Sequence, residues 1–236
     1  MRASASILIL FSALACFAPV IALAETVMDL DVTISATLKG KLRPAVSEDA
    51  PRRAVLILHG WNDHLDGLGD LQKKLATQLS ERNIASLRFN FTGEGERVNY
   101  VVTSTYHSRM AEASAAYWYL KKAYPDASIG VQGWSLGGLI AISLAGENPD
   151  WFESMVLWSA ADNMRVDRDA QYDRAARGAM QEGHAVYSTW TEITLTREFL
   201  SSYIGVNASE KFSRYPGSFL TIRGDADYLE SHDRRW

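Results

Sequence analysis

The sequence predicts an α/β fold, a mainly parallel sheet flanked by helices, and three observations carry that reading. Apolar runs of strand length alternate with stretches of helical period along most of the chain. One of these runs, Ala54 to Leu58, is continuous rather than alternating, the pattern of a strand buried on both faces. A glycine-rich pentapeptide, Gly133-Trp134-Ser135-Leu136-Gly137, joins one such run directly to a helix.

The first element is a targeting segment. Arg2 supplies a small positive region, an apolar run follows from Ile7 to Ala24, and Ala22-Leu23-Ala24 ends it with small residues before Glu25. That is the A-x-A pattern of a cleavable signal peptide over residues 1–24, which implies a periplasmic or secreted protein. An uncleaved anchor is the alternative, because the run approaches spanning length. A lipoprotein site at Cys16 is weaker, since Ala13 stands where Leu is usual. No other long apolar run occurs, so no stable membrane span is expected after signal removal. Cys16 is the only cysteine. A mature chain from residue 25 to 236 then has neither disulfides nor a thiol nucleophile.

Met28 to Leu38 alternates apolar and polar residues, the period of a half-exposed strand. Pro44 to Pro51 is a turn, and Ala54 to Leu58 is a buried strand. Leu68, Leu71, Leu75 and Leu79 recur at helical spacing. Ile84 to Phe91 is a strand, Thr105 to Tyr124 a helix closed by Pro125, and Ala127 to Gln132 a third buried strand. Leu139 to Gly146 is a helix; Met155 to Trp158 and Ser218 to Ile222 are further strands. The long connection between Trp158 and Ser218 has helix-compatible stretches at Asp167 to Met180 and Thr194 to Tyr203. Its length and position predict a helical cap insertion at about 163–213, with a plain pair of packing helices as the alternative.

Composition narrows the function. A net charge of −4 leaves no basic stripe for nucleic acid. No metal-ligand cluster or phosphate-cradling motif occurs, so neither metal nor organic cofactor is expected. In an α/β sheet the ligand site lies beyond the carboxyl ends of the strands. Gly133 to Gly137 is there, as G-x-S-x-G between strand and helix. The pattern lifts the Ser135 hydroxyl over the sheet edge as a nucleophile, and the Leu136 N–H, at the helix start, meets a developing oxyanion. His59-Gly60-Trp61 follows the first buried strand, and Trp61 supplies the second oxyanion N–H. His59 itself is read as a structural hydrogen-bonding residue rather than the base.

These motifs, with Leu87-Arg88-Phe89-Asn90-Phe91-Thr92-Gly93-Glu94-Gly95-Glu96 between them, resemble the α/β-hydrolase family, closest to its cinnamoyl-esterase, monoglyceride-lipase and serine-aminopeptidase-like branch. The resemblance spans roughly Ala54 to Asp227. One departure is Asn90-Phe91-Thr92-Gly93-Glu94-Gly95 where the family often has Asp-Phe-Arg-Gly-His-Gly. It implies the α/β-hydrolase fold and an acid, pointed to Asp227 by Gly224-Asp225-Ala226-Asp227; Asp162 is the second candidate and Asp225 a neighbour easily mistaken for it. The acid orients a histidine and stabilises its imidazolium.

The order Ser…Asp…His requires that histidine after Asp227. Only His232 follows, five residues on, and the chain stops at Trp236. His64, His107 and His184 read as surface or capping residues. The ending predicts a chain truncated before its last strand and helix, leaving Ser218–Ile222 as an exposed edge. The expected activity is ester hydrolysis through an acyl-enzyme on Ser135, with a small-molecule ester or amide as substrate. An amidase, peptidase or acyltransferase uses the same machinery, and a non-catalytic remnant of the fold is the competing class.

Overall fold

A computed structural model describes residues 27–47, 49–95, 99–162, 170–189 and 191–227. Along the chain come β1 (Leu30–Thr33), β2 (Lys39–Arg43), β3 (Arg53–Leu58), α1 (Leu71–Glu81), β4 (Ala85–Phe89), β5 (Tyr100–Val101) and α2 (Tyr106–Ala123). They are followed by β6 (Ser128–Trp134), α3 (Leu136–Glu147), β7 (Ser154–Trp158), α4 (Ala170–Glu182), β8 (His184–Ser188), β9 (Glu192–Thr196), α5 (Arg197–Ser202), α6 (Ala208–Phe212) and β10 (Ser218–Ile222). The expected leader at 1–24 and His232 lie outside the described residues. Among the described residues no helix is long and apolar enough to cross a membrane.

The main sheet has seven strands in the order β1-β2-β4-β3-β6-β7-β10. β1 and β2 form an antiparallel hairpin, and β2 joins β4 antiparallel. Every pairing from β4 to β10 is parallel. Parallel neighbours need crossovers, which α1, α2 and α3 supply. From β3 the chain crosses to β4 on one side, then returns past β3 to β6 on the other. The connections at the ends of β3 and β6 therefore diverge, which opens a crevice between those two strand ends.

The core sits on the strands read as buried from the sequence. Ala54, Leu56, Leu58, Ile129, Val131, Met155 and Leu157 are buried. Residues Leu136 to Gly146 of α3 are buried throughout, the behaviour of a helix apolar on every side. α2 begins at a capping box in which Thr105 and Ser108 exchange hydrogen bonds, closing off the first backbone donors. β10 has only β7 beside it among the described residues, and Phe219, Leu220 and Ile222 are exposed on it.

Two sequence expectations need correction. Met28–Leu38 is not one strand: β1 ends at Thr33, the Ile34 and Ser35 N–H groups turn back onto the Leu38 carbonyl, and β2 follows. The Ser35 hydroxyl accepts from the Leu38 N–H and stabilises that turn, a local bond that competes with the strand ladder. The segment expected to form a helical cap is not purely helical either. His184–Ser188 and Glu192–Thr196 form an antiparallel hairpin, and β9 pairs in parallel with β5 to make a separate three-stranded sheet. Ile193 and Leu195 are buried there while their neighbours are not, a two-residue period that overrides helical propensity at 194–196. Only Arg197–Ser202 of the expected second cap helix is helical, capped by Thr196.

A buried charge cluster ties the amino-terminal hairpin to the sheet. The Arg88 guanidinium in β4 has no exposure and donates to both Asp29 oxygens, at 3.1 and 2.6 Å, and to Asp66 at 2.9 Å. Arg43 donates to Asp29 at 2.8 Å. Burial alone raises the Asp29 carboxyl, but the hydrogen bonds and charges of Arg43 and Arg88 outweigh it and hold the group well below the usual carboxylate range. A depressed folded-state value contributes stability fully present above the unfolded aspartate value of about 3.9 and lost as pH falls below it. We expect Asp29→Asn to cost about 3 kcal/mol at neutral pH, as removal of one partner of a buried pair does. Urea unfolding of both proteins from pH 7 to pH 3 checks it, and the difference should shrink toward the acid end.

Candidate active site

The crevice at the ends of β3 and β6 holds the motifs singled out in the sequence. Ser135 is the residue between β6 and α3, with φ 51° and ψ −118°, a region that side chains with a Cβ seldom occupy. Its N–H donates to the Trp158 carbonyl at 3.0 Å, at the end of β7. Its carbonyl accepts from Gly138 at 2.9 Å and Ala161 at 3.0 Å. The bend is thus over-determined from the strand and the helix, which is how strained backbone persists. The crossing is tight as well: a Cβ at Gly137 would stand 2.4 Å from the Leu58 carbonyl oxygen and 2.5 Å from that of His59. Ser135 is half-buried, and no side chain among the described residues hydrogen-bonds its hydroxyl.

The loop after β3 lies against this bend. A Cβ at Gly60 would meet the Ser135 Cβ at 3.2 Å and its Oγ at 3.8 Å, so the Gly60–Trp61 backbone passes beside the hydroxyl. Leu136 opens α3, where the first N–H groups have no intrahelical partner. The structure therefore brings Ser135, Trp61 and Leu136 to one crevice, the grouping that an oxyanion site needs.

His59 is fully buried and engaged at both nitrogens. The Phe91 N–H donates to Nε2 at 3.1 Å, and Nδ1 lies 2.7 Å from the Gly60 carbonyl oxygen. Burial, with the positive charge of Arg109 nearby, pushes its pKa down to about 3. A neutral ring spent on backbone is no general base for Ser135. His64 is half-buried in the loop after β3 and takes the Asp66 N–H at 3.3 Å. His107 and His184 are exposed.

The acid candidates stand along the same edge of the sheet. Asp162 follows β7 and is buried. Asp227 ends a turn after β10, where its N–H donates to Gly224 at 3.1 Å and its carboxylate lies 3.4 Å from Arg223. Arg223 also donates to the Ala160 carbonyl at 2.7 Å. Asp225 lies in that turn. Because β6, β7 and β10 are parallel neighbours, Ser135, Asp162 and Asp227 all follow carboxyl ends of adjacent strands. Among the described residues no group of three metal-ligating side chains comes together.

Several supporting residues escaped the sequence reading. The Asn90 Oδ1 accepts the Leu65 N–H at 2.7 Å, Tyr100 donates to Asn62 at 3.1 Å, and Arg88 grips Asp66, so three contacts stake the loop after β3. Trp61 is faced by aromatics of α4, β8 and α5: Tyr187 and Phe199 stacked at 6.1 and 5.8 Å, Tyr172 edge-on at 5.9 Å. Behind Phe91, Arg109 of α2 pairs with Glu94 with both side chains wholly buried. The available signal was a charged residue inside an apolar strand or helix face, which must find a partner when buried.

Residues 49–213 match the protein family described as serine aminopeptidase, S33. No curated protein matches the chain. Among solved structures the chain is similar to Est1E from Butyrivibrio proteoclasticus, at 17% identity and a TM-score of 0.65, covering 88% of this chain and 83% of that one. A structure of ferulic acid bound to Est1E is similar at 15% identity and a TM-score of 0.63, over 87% of this chain and 95% of that one. The monoacylglycerol lipase of Paleococcus ferrophilus is similar at 17% identity and a TM-score of 0.63, over 84% and 82% of the two chains. At such identities the likeness shows the fold.

Two outcomes follow from the bend and from His59. Ser135→Gly relieves the positive-φ strain and is expected to raise stability by about 1 kcal/mol, whereas Ser135→Ala keeps the Cβ and gains little; denaturant midpoints compare them. His59 binds a proton when unfolded, below pH 6.5, but not when folded until pH reaches about 3. Unfolding free energy should therefore rise with pH across that window, by up to about 1.4 kcal/mol per unit from this one group, and the slope between about pH 5 and 6.5 should flatten in His59→Asn.

Proposed function

The chain belongs to the serine aminopeptidase family, S33, of α/β hydrolases, and from that membership we propose that it hydrolyses carboxylic esters through an acyl-enzyme on Ser135. The observation that carries the proposal is the Ser135 bend, φ 51° and ψ −118°, with the Gly60–Trp61 backbone beside its hydroxyl. A serine held so, next to two main-chain amides, suits attack on a carbonyl whose oxygen becomes negative in the transition state.

The steps are those of acyl transfer. The Ser135 oxygen adds to the ester carbonyl and its proton passes to a histidine base, which the order Ser…Asp…His puts after Asp227 and which is none of the described histidines. The Trp61 and Leu136 N–H groups receive the oxyanion. Collapse expels the alcohol with that proton, and water then cleaves the acyl-enzyme by the same route. Asp227 orients the base, with Asp162 as the alternative acid. His59 does not serve as base, because both of its ring nitrogens are committed to backbone. Esters are favoured over amides because an alcohol needs less help to leave than an amine. The substrate is a small-molecule ester, and the residues 1–24 leader assigns the protein to the periplasm or the secreted fraction.

A fluorophosphonate probe tests the nucleophile. We expect labelling of the full chain that vanishes in Ser135→Ala, together with loss of hydrolysis of short-chain and aromatic p-nitrophenyl esters by at least about a thousandfold. A well-folded protein left unlabelled would favour the non-catalytic alternative. Culture fractionation with amino-terminal sequencing should find Glu25 as the first residue of the exported form.

A further inference from the structure

Resting on the reading of the Trp61 amide as an oxyanion donor, we infer that His59 is a positioning residue that latches the Gly60–Trp61 peptide plane. The latch follows from hydrogen-bond polarity. A backbone N–H can only donate, so the Phe91 N–H, 3.1 Å from Nε2, requires a lone pair on that nitrogen. The proton then sits on Nδ1, which donates to the Gly60 carbonyl oxygen 2.7 Å away. One tautomer of the ring is thereby selected by the backbone.

The consequence passes through the peptide bond. No peptide among the described residues is cis, and in a trans peptide the carbonyl and the N–H point in opposite directions. With the Gly60 carbonyl drawn onto the His59 ring, the Trp61 N–H is directed away from that ring. Gly60 itself abuts Ser135. Rotating this plane to withdraw the amide breaks the His59 bond in a fully buried site and strands a donor and an acceptor together.

The ring is secured from behind. It meets the Phe91 ring edge-on at 5.0 Å, and the Arg109 guanidinium lies 4.5 Å over the face of Phe91. Arg109 is anchored by Glu94 and, at 3.4 Å, by Ser104, whose hydroxyl also donates to Glu94 at 2.6 Å. The Glu94 N–H returns to the Phe91 carbonyl at 2.9 Å. Phe91, whose N–H picks the tautomer, is thus clamped between β4 and α2. The positive charge of Arg109 also opposes a second proton on the ring, which would set Nε2–H against the Phe91 N–H.

Two variants of the full chain separate the two ends of the ring. In His59→Asn the side-chain amide takes the place of Nδ1 and keeps a donor for the Gly60 carbonyl. In His59→Gln the amide reaches the Nε2 position, meets the Phe91 N–H and leaves the Gly60 carbonyl without its donor. Both should lose similar thermal stability, since each forfeits one buried bond. For p-nitrophenyl acetate, kcat should fall about 10²–10³-fold in His59→Gln, the loss that follows removal of an oxyanion donor, with KM nearly unchanged. His59→Asn should retain kcat within about tenfold. Crystal structures should show the Gly60 carbonyl held in the Asn variant and turned in the Gln variant. A Gln variant with the plane unturned and kcat equal to that of the Asn variant overturns the latch. Should the Gln variant not fold, 15N imidazole spectra of the wild-type protein at pH 7 decide: a neutral Nδ1–H ring upholds the latch, an Nε2–H ring or an imidazolium overturns it. A wild-type protein that the fluorophosphonate leaves unlabelled defeats the hydrolase reading instead, and the peptide plane still judges His59.

Discussion

The backbone of Ser135 departs from the ordinary conformations of an L-residue, and much of the carboxyl edge of the sheet is arranged to keep it there. The bend turns β6 into α3 without an intervening loop. Its N–H is taken by the end of β7 and its carbonyl by Ala161 and by the first turn of α3. α3 can start so close to the sheet only because Gly137 has no Cβ to strike the carbonyls of Leu58 and His59. Strain of about 1–3 kcal/mol is supportable when the surrounding packing leaves no alternative, and the entirely buried α3 supplies that packing.

From that bend outward, each neighbouring part of the molecule has a mechanical role. The loop after β3 must lie beside Ser135 and stay there, although loops are ordinarily the mobile parts of a fold. It is held by polar contacts from three directions: Arg88 on Asp66, Asn90 on Leu65, and Tyr100 on Asn62. Aromatic contact with Tyr172, Tyr187 and Phe199 adds a cover over Trp61. Arg88 also carries Asp29, so the amino-terminal hairpin and the loop beside the nucleophile share one buried cation. Stability at the sheet edge and geometry at the crevice are therefore coupled through a single side chain.

The parts of the fold that were legible in the sequence are those where burial dictates composition. Ala54–Leu58 is a continuous apolar run because helices cover both faces of a parallel strand, and it, Ala127–Gln132 and Met155–Trp158 are all strands in the structure. Thr105–Tyr124 was read as a helix closed by Pro125, and the structure adds the Thr105–Ser108 capping box that starts it. β8 and β9 were not recognised: only 194–196 lay in a stretch read as helix-compatible, and it is the pairing of the two with each other, and of β9 with β5, that commits them to strands. β2 was missed for a related reason: Lys39-Gly40-Lys41 carries no apolar run, and its place is set by β1 on one side and β4 on the other.

Taken alone, the order of residues determined the α/β class and placed a serine at the strand-to-helix turn. It also put a glycine-bearing loop after β3, because turn chemistry and burial are written within a few neighbouring positions. The partners of the buried charges were decided by tertiary structure. Asp29 and Arg88 are 59 residues apart and become partners only when β2 pairs with β4. The state of His59 was decided the same way, since its tautomer depends on the Phe91 N–H, 32 residues away. Local pattern can say that a buried polar group needs a partner; only the folded chain chooses which one, because the choice depends on distances that packing alone creates.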